Sequence, residues 1–247
     1  MTTPPIYIPW HSHFGDQWAT ITLLAHKAQR EARPQLLSQY QHDQDLGPMQ
    51  REIMAALGLG GMVTLTPEKG NTPLSGYDVW AAPPLPTWRR WDRRAPHPTI
   101  VYQFDGRGTP MLTNPSTEDE QVLLRWLEQS GFMPVRLGKH MTVDECCRQA
   151  SEAVAFIGVD SGMSHLCHSV GVPVFLLQMK LPVVTCHRGK QYTLVEGLDD
   201  LMQWKWPTWV DYLRFIGHPD GERATVPRSR TLRDTEGSKG VRWWLLS

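Results

Sequence analysis

Residues 153–177, AVAFIGVDSGMSHLCHSVGVPVFLL, constrain the fold more than any other stretch of the chain. Ala153 to Val159 is an unbroken apolar run with β-branched and aromatic members, the composition of a parallel strand covered on both faces. Asp160-Ser161-Gly162 follows, then a helix through Met163, His165, Leu166 and Val170 that stops at Gly171. Pro173 introduces a second apolar strand, Val174 to Leu177. A strand–helix–strand unit of this kind makes the fold class α/β. The helix start carries backbone N–H groups without partners and a partial positive charge, so the turn suits an anion. Ser161 is placed to cap the helix, Gly162 to let a ligand approach the backbone, and His165 to donate to a phosphate oxygen. The alternative is a plain helix cap with a core histidine behind it.

The string Asp160-Ser161-Gly162-Met163-Ser164-His165, with Gly171-Val172-Pro173 after it, resembles the carboxy-terminal signature of the heptosyltransferase-like glycosyltransferases, family nine, which have the GT-B fold. In that family the turn holds the diphosphate of a sugar nucleotide. The resemblance therefore implies donor contacts from Asp160, Ser161, Gly162 and His165. A second match stands at the other end of the chain. Ile6 to Pro9 reads as a first strand and Trp10 to Gln17 as the loop leaving it. Trp18 to about Glu31 reads as a helix, with Ile21, Leu23, Leu24 and Ala28 on its apolar face. In the family this loop ends in Gly-Asp, whose Asp deprotonates the acceptor hydroxyl, and Gly15-Asp16 fall on those positions. The resemblance thus implies a catalytic Asp16; His13 in the same loop is a second catalytic candidate, and His11, Gly15 and Gln17 are acceptor-side candidates. Without it, Asp16 is an ordinary acid in a first helical turn.

The chain reads as two lobes of unequal size, and the resemblance implies a GT-B-like architecture of two Rossmann-like lobes with parallel sheets and a small amino-terminal lobe. The first lobe, 1–86, continues with a polar stretch at 38–48 and a helix from Met49 to Leu57 closed by Gly58. Strands at Met62 to Thr66 and Tyr77 to Ala82 complete it, parted by a Gly/Pro/Asn loop. Pro83-Pro84-Leu85-Pro86 reads as extended chain between lobes, leading into a linker at 87–98. Trp88, Arg89 and Arg90 open a run of interleaved Trp and Arg there. It reads as a stacking, electropositive acceptor surface or as a solvated linker.

The second lobe, 99–216, begins with strand Thr99 to Phe104. The glycine loop Asp105 to Thr109 follows at the carboxyl end, where ligands of parallel sheets collect. The resemblance implies that this loop faces the donor, with Arg107 placed to neutralise a diphosphate and Gln103 as a further donor contact; a plain turn explains the same glycines. A capping box at Ser116-x-x-Asp119 or Thr117-x-x-Glu120 opens a helix to about Ser130 with Leu123, Leu124 and Leu127 inward. Strand Met133 to Leu137 leads to Lys139, a phosphate or uridine contact or else a surface lysine, and helix Val143 to Glu152 leads into the opening motif. Glu196 follows strand Tyr192 to Val195, where the resemblance to GT-B enzymes implies an acid on the donor ribose; Glu196-Gly197 also reads as a common turn. Trp204, Trp206 and Trp209 read as core or lobe-docking contacts, or as a sugar platform. The tail, 217–247, is rich in Arg223, Arg228, Arg230, Arg233, Lys239 and Arg242. It reads as a mobile arm for an anionic acceptor or, as the resemblance to GT-B chains implies, as a tail wrapping back over the first lobe; its apolar end, Trp243-Trp244-Leu245-Leu246, favours the docked tail.

A chain of 247 residues with 40% hydrophobic and 20% charged content has the make-up of an ordinary globular protein. It has no apolar run of about 18 residues, and its start lacks the basic and apolar parts of a signal peptide, so a cytoplasmic protein without a transmembrane segment is expected. Its four cysteines should be reduced thiols. Cys167-His168, Cys186-His187 and His11-x-His13 lack the spacing of structural zinc sites, so no metal centre is expected. The expected activity is metal-independent transfer of a sugar from a nucleoside diphosphate sugar to an acceptor hydroxyl, with no cofactor. The partners are the nucleotide-sugar donor and an acceptor that is a saccharide or a hydroxymethylated base in DNA. The rival readings are a non-catalytic nucleotide-sugar or nucleic-acid binding module of the same fold, and a GT-B nucleotide-sugar epimerase.

Overall fold

The computed structural model describes residues 4–75, 78–79, 82–83, 85, 98–106, 114–177 and the backbone of 192–195. Two parallel sheets organise them. The first is built from β1 (Ile6–Ile8), β2 (Gln35–Ser38), β5 (Val63–Thr66) and β6 (Thr72–Pro73), in the order β5-β2-β1-β6. Every pairing in it is parallel. The second contains β7 (Thr99–Gln103), β8 (Met133–Arg136), β9 (Ala155–Gly158), β10 (Val174–Leu177) and β11 (Tyr192–Val195), in the order β11-β10-β9-β7-β8, again all parallel. A small antiparallel hairpin, β3 (Tyr40–Gln41) and β4 (Gln44–Asp45), stands apart from both. The α/β class and the parallel sheets are as the sequence indicates, and the arrangement is compatible with a Rossmann-like fold.

The helices show why these segments fold as they do. Helix α1 (Phe14–Glu31) carries Asp16 in its first turn and Arg30 in its last, each complementing the helix dipole. Ten of its eighteen residues are buried, among them Trp18, Ile21, Leu24 and Ala28. That is wider than one apolar stripe, because the helix is covered on two sides. Helix α2 (Gly47–Ala56) ends before Gly58, which takes φ 63°. Helix α3 (Thr117–Gln129) starts with a reciprocal capping box between Ser116 and Asp119, and α4 (Val143–Glu152) with one between Thr142 and Glu145. Helix α5 (Gly162–Ser169) follows β9, and Gly171 with φ 86° turns the chain into β10.

The second sheet is covered on both faces, as its apolar strands require. Val101, Phe156, Val174 and Leu176 join Cys146, Cys147 and Leu166 on one side. Ile100, Tyr102, Ile157, Phe175 and Leu177 meet Leu123 and Leu127 of α3 on the other. The first of these clusters continues without a break into Trp18, Ile21, Leu24, Leu37 and Ile53 of the amino-terminal half. Helices α1 and α5 lie together at its centre, where Thr22 Oγ1 and Ser169 Oγ share a buried hydrogen bond of 2.8 Å.

Two expectations are corrected, and two further segments gain detail. Helix α1 begins at Phe14 rather than Trp18, so Gly15, Asp16 and Gln17 lie in its first turn instead of a loop. Within the stretch read as a strand at Tyr77 to Ala82, the described residues Asp78 and Val79 are helical, and the strand beside β1 is Thr72–Pro73. The polar stretch at 38–48 holds the β3–β4 hairpin, and β2 precedes it. The proline-rich segment is bonded to both central helices where it is described. Leu85 is buried and donates its N–H to Ser169 O at 2.8 Å, His168 Nε2 donates to Ala82 O at 2.9 Å, and His26 Nε2 to Pro83 O at 2.8 Å. The linker 87–97 and the tail 217–247 lie outside the described residues.

Candidate functional site

In an open parallel sheet the crevice forms at the carboxyl ends of the two strands where the strand order reverses. The second sheet reverses between β7 and β9. Gln103 ends β7 and pairs with Gly158 at the end of β9. A Cβ on Gly158 would lie 2.3 Å from the Gln103 carbonyl oxygen, so this position is closed to any side chain. Past it the chain presents Asp160 and Ser161. Ser161 Oγ donates to Gln103 Oε1 at 2.6 Å, and Ser164 Oγ accepts from Ser161 N–H at 3.2 Å. The Asp-Ser-Gly turn is thereby tied to the end of β7, and the N-terminus of α5 opens beside it. Gln103, Asp160, Ser161 and Gly162, expected from sequence to meet a donor, are gathered here.

The glycine loop after β7 enters the same region. Gly106 donates its N–H to Asn114 Oδ1 at 2.9 Å and its carbonyl accepts from Asn114 Nδ2 at 3.2 Å. Asn114 thus joins the two described ends of the loop whose middle, with Arg107, is outside the described residues. On the outer side Arg136, the last residue of β8, bonds Asp105 at 2.7 Å and lies 3.4 Å from Glu120. The same Glu120 accepts from the Tyr102 hydroxyl at 3.2 Å. Burial, with the charge of Glu120, pushes the Tyr102 phenol up to about 12, so it is a neutral donor. Sequence reasoning passed over Arg136 and Asn114. A basic residue at the carboxyl end of an expected strand was the available signal for the first, and nothing local marks the second.

The second contributor comes from the other half of the chain. The N-terminus of α1 meets that of α5 glycine to glycine. A Cβ on Gly15 would lie 2.3 Å from His165 Cδ2 and 3.2 Å from Gly162 Cα, and one on Gly162 would lie 2.6 Å from Phe14 Cδ1. Two positive helix ends brought this close repel unless negative charge sits with them. Asp16 and Asp160, with side chains 13% and 19% exposed, supply it.

Asp16 occupies the third position of α1, with His13 Nδ1 3.3 Å from its carboxylate. Burial raises its pKa above the ordinary carboxylate value, against the lowering effects of His11 and His13. Gln17 is fully buried; its amide donates to the His11 carbonyl and its Oε1 accepts from Gln50 at 3.0 Å. It braces the loop that carries His11 and His13. His165 lies behind the turn, 5% exposed, with Nε2 3.5 Å from Asp160. Burial, reinforced by His168, lowers its pKa to about 3, so the imidazole is neutral at pH 7. Lys139 is exposed in the turn after the edge strand β8. Glu196, Trp88, Arg89 and Arg90 lie outside the described residues.

Among the described residues no helix is long and apolar enough to cross a membrane. No group of three or more His, Cys, Asp or Glu among them is placed to hold a metal ion. Comparison with protein-family models, with curated proteins and with solved structures gives no match.

Proposed function

We propose that the chain is a GT-B glycosyltransferase that moves a sugar from a nucleoside diphosphate sugar to an acceptor hydroxyl, without a metal. The observation that carries this reading is the meeting of α1 and α5 at their N-termini, which brings Gly15-Asp16 to the edge of the Asp160-Ser161-Gly162 turn. As the glycosidic bond breaks, negative charge grows on the departing diphosphate. Preorganised N–H groups at the start of α5 are suited to stabilise it, since they need no reorganisation as the charge develops. In this reading Gly162 and Met163 offer those N–H groups, Arg107 adds a cation, and neutral His165 supports the turn from behind. Asp16 takes the proton of the acceptor hydroxyl. Its raised pKa makes it a stronger base than an exposed aspartate, and a positioned base contributes about 10²- to 10⁴-fold. The resemblance of both motifs to the heptosyltransferase-like family supports the same assignment.

The test begins with a thermal-shift screen against nucleoside diphosphate sugars, followed by product analysis with saccharide and hydroxymethylated-DNA acceptors. Asp16→Asn should lower the transfer rate by about 10²-fold or more while the donor Kd stays within about threefold. Donor binding without transfer or hydrolysis in the unmodified protein would instead indicate a binding module. Conversion of the nucleotide sugar to an isomer with no acceptor present would indicate an epimerase.

A further inference from the structure

The first sheet has a reversal point of its own, and it leads to a different place. Strand order runs from β1 to β2 and β5 on one side, and returns to β6 on the other, so the crevice belongs at the carboxyl ends of β1 and β6. A cleft of about 540 Å³ lies there, within the range of small-molecule sites. Ile8 and Leu74 contribute apolar surface from the two strand ends; Trp10 and Tyr40 add aromatic surface; Asp43 and Lys69 stand among the lining residues with opposite charge.

The walls are fixed by the chain itself. Gln41 Nε2 donates to the carbonyls of Pro9 at 3.2 Å and Trp10 at 3.0 Å, which ties the β3–β4 hairpin to the loop after β1. At the tip of that hairpin His42 takes φ 52°, a left-handed conformation that a tight turn demands. On the far side Gly70 lies so close to β1 that a Cβ would come within 2.5 Å of Ile8 Cγ1, which anchors the segment bearing Lys69.

We propose that this cleft binds the ring of a saccharide. A sugar ring offers a face of C–H groups and a rim of hydroxyls that both donate and accept. Aromatic and aliphatic surface suits the face, a carboxylate suits hydroxyl donors, and an ammonium suits hydroxyl acceptors. Asp43 and Lys69 offset each other, so this pair supplies no excess positive charge to hold a phosphate and suits a neutral ring better. The site needs neither Asp16 nor a nucleotide, so it stands or falls apart from the transfer reading.

The test uses the whole isotope-labelled protein without any donor, titrated with methyl glycosides of glucose, galactose and mannose, and separately with adenosine. At least one glycoside should give saturable shifts at the Trp10 indole N–H and at the amides of residues 40–43 and 69–70, with a Kd on the order of 1 mM. Asp43→Asn and Lys69→Gln, both at exposed positions, should each weaken that binding about tenfold while the amide spectrum elsewhere is unchanged. Overturning results are no shift at these residues with any of the three glycosides, tighter binding of adenosine than of all of them, or unaltered glycoside binding in both variants.

Discussion

The seam between the two helix N-termini depends on single residues having no side chain. Gly15 is the sharpest case, because the first atom of any substitute would enter the space of His165 Cδ2 at 2.3 Å. Gly15→Ala should cost about 1–3 kcal/mol through overpacking of a buried contact. Gly60→Ala is the control, since a Cβ there has nothing within 4 Å and should change stability little. Urea midpoints of the two variants decide it: equal midpoints would mean that α1 and α5 do not touch at this point. Asp16 gives a second prediction at the same scale. Its pKa is raised by burial and held down by His11 and then His13, so losing either histidine leaves the raising effect less opposed. In the transferase reading kcat/KM rises with pH as the base ionises, through a value above that of an ordinary carboxylate. His11→Gln should move that acid limb to higher pH without changing the plateau, and a limb that stays in place would remove Asp16 as the titrating base.

Helix α5 places two histidines one turn apart in full burial, and this has a consequence for stability. His165 and His168 have pKa values lowered to about 3 and about 4, in both cases chiefly by burial. Unfolded imidazoles take up protons near pH 6.5, whereas the folded ones resist until much lower pH. The stabilisation is therefore complete above pH 6.5 and is lost as pH falls towards 4. Each histidine contributes a slope of about 1.4 kcal/mol per pH unit in that window. Urea unfolding between pH 6.5 and 5 should show this loss, and His168→Gln should remove about half of it; an unchanged slope in the variant would place His168 outside the core. Elements such as α5 were legible in the sequence because their signals are local: Asp-Ser-Gly at one end, Gly171 at the other, apolar runs on both sides. Ser116 with Asp119 marked α3 in the same way. Strand β6 was not legible, since Thr72 and Pro73 sit in a Gly/Pro/Asn loop and become a strand only by pairing with Tyr7 and Ile8. Asp78 and Val79 misled in the opposite sense, where aromatic and apolar neighbours imitate a strand but the chain is helical.

At the scale of the molecule, the sequence reads as two lobes joined by a proline-rich spacer, and the packing describes a closer union. What no local pattern could reveal is that α1 is buried on two sides, so that Trp18, Ile21 and Leu24 belong to the same cluster as Phe156, Leu166 and Val174. The Asp16 half of the candidate site was readable only through a resemblance, because its distance from the Asp-Ser-Gly turn is a fact of tertiary contact. The segment around Leu85 is bonded to both helices, through His26 on α1 and through His168 and Ser169 on α5. A core that crosses both sheets cannot lose one half without exposing apolar surface on the other, and exposed apolar surface costs about 25 cal/mol per Å². Unfolding should therefore be a single cooperative transition, with fluorescence and far-ultraviolet circular dichroism giving coincident urea curves. Thr22→Val and Ser169→Ala, which interrupt the 2.8 Å bond between α1 and α5, should each shift that one midpoint without splitting it. Their combined effect should fall short of the sum by about 0.5 kcal/mol or more, because both remove the same contact. Two separated transitions, or strict additivity of the pair, would mean that the halves fold as independent lobes that merely rest against each other.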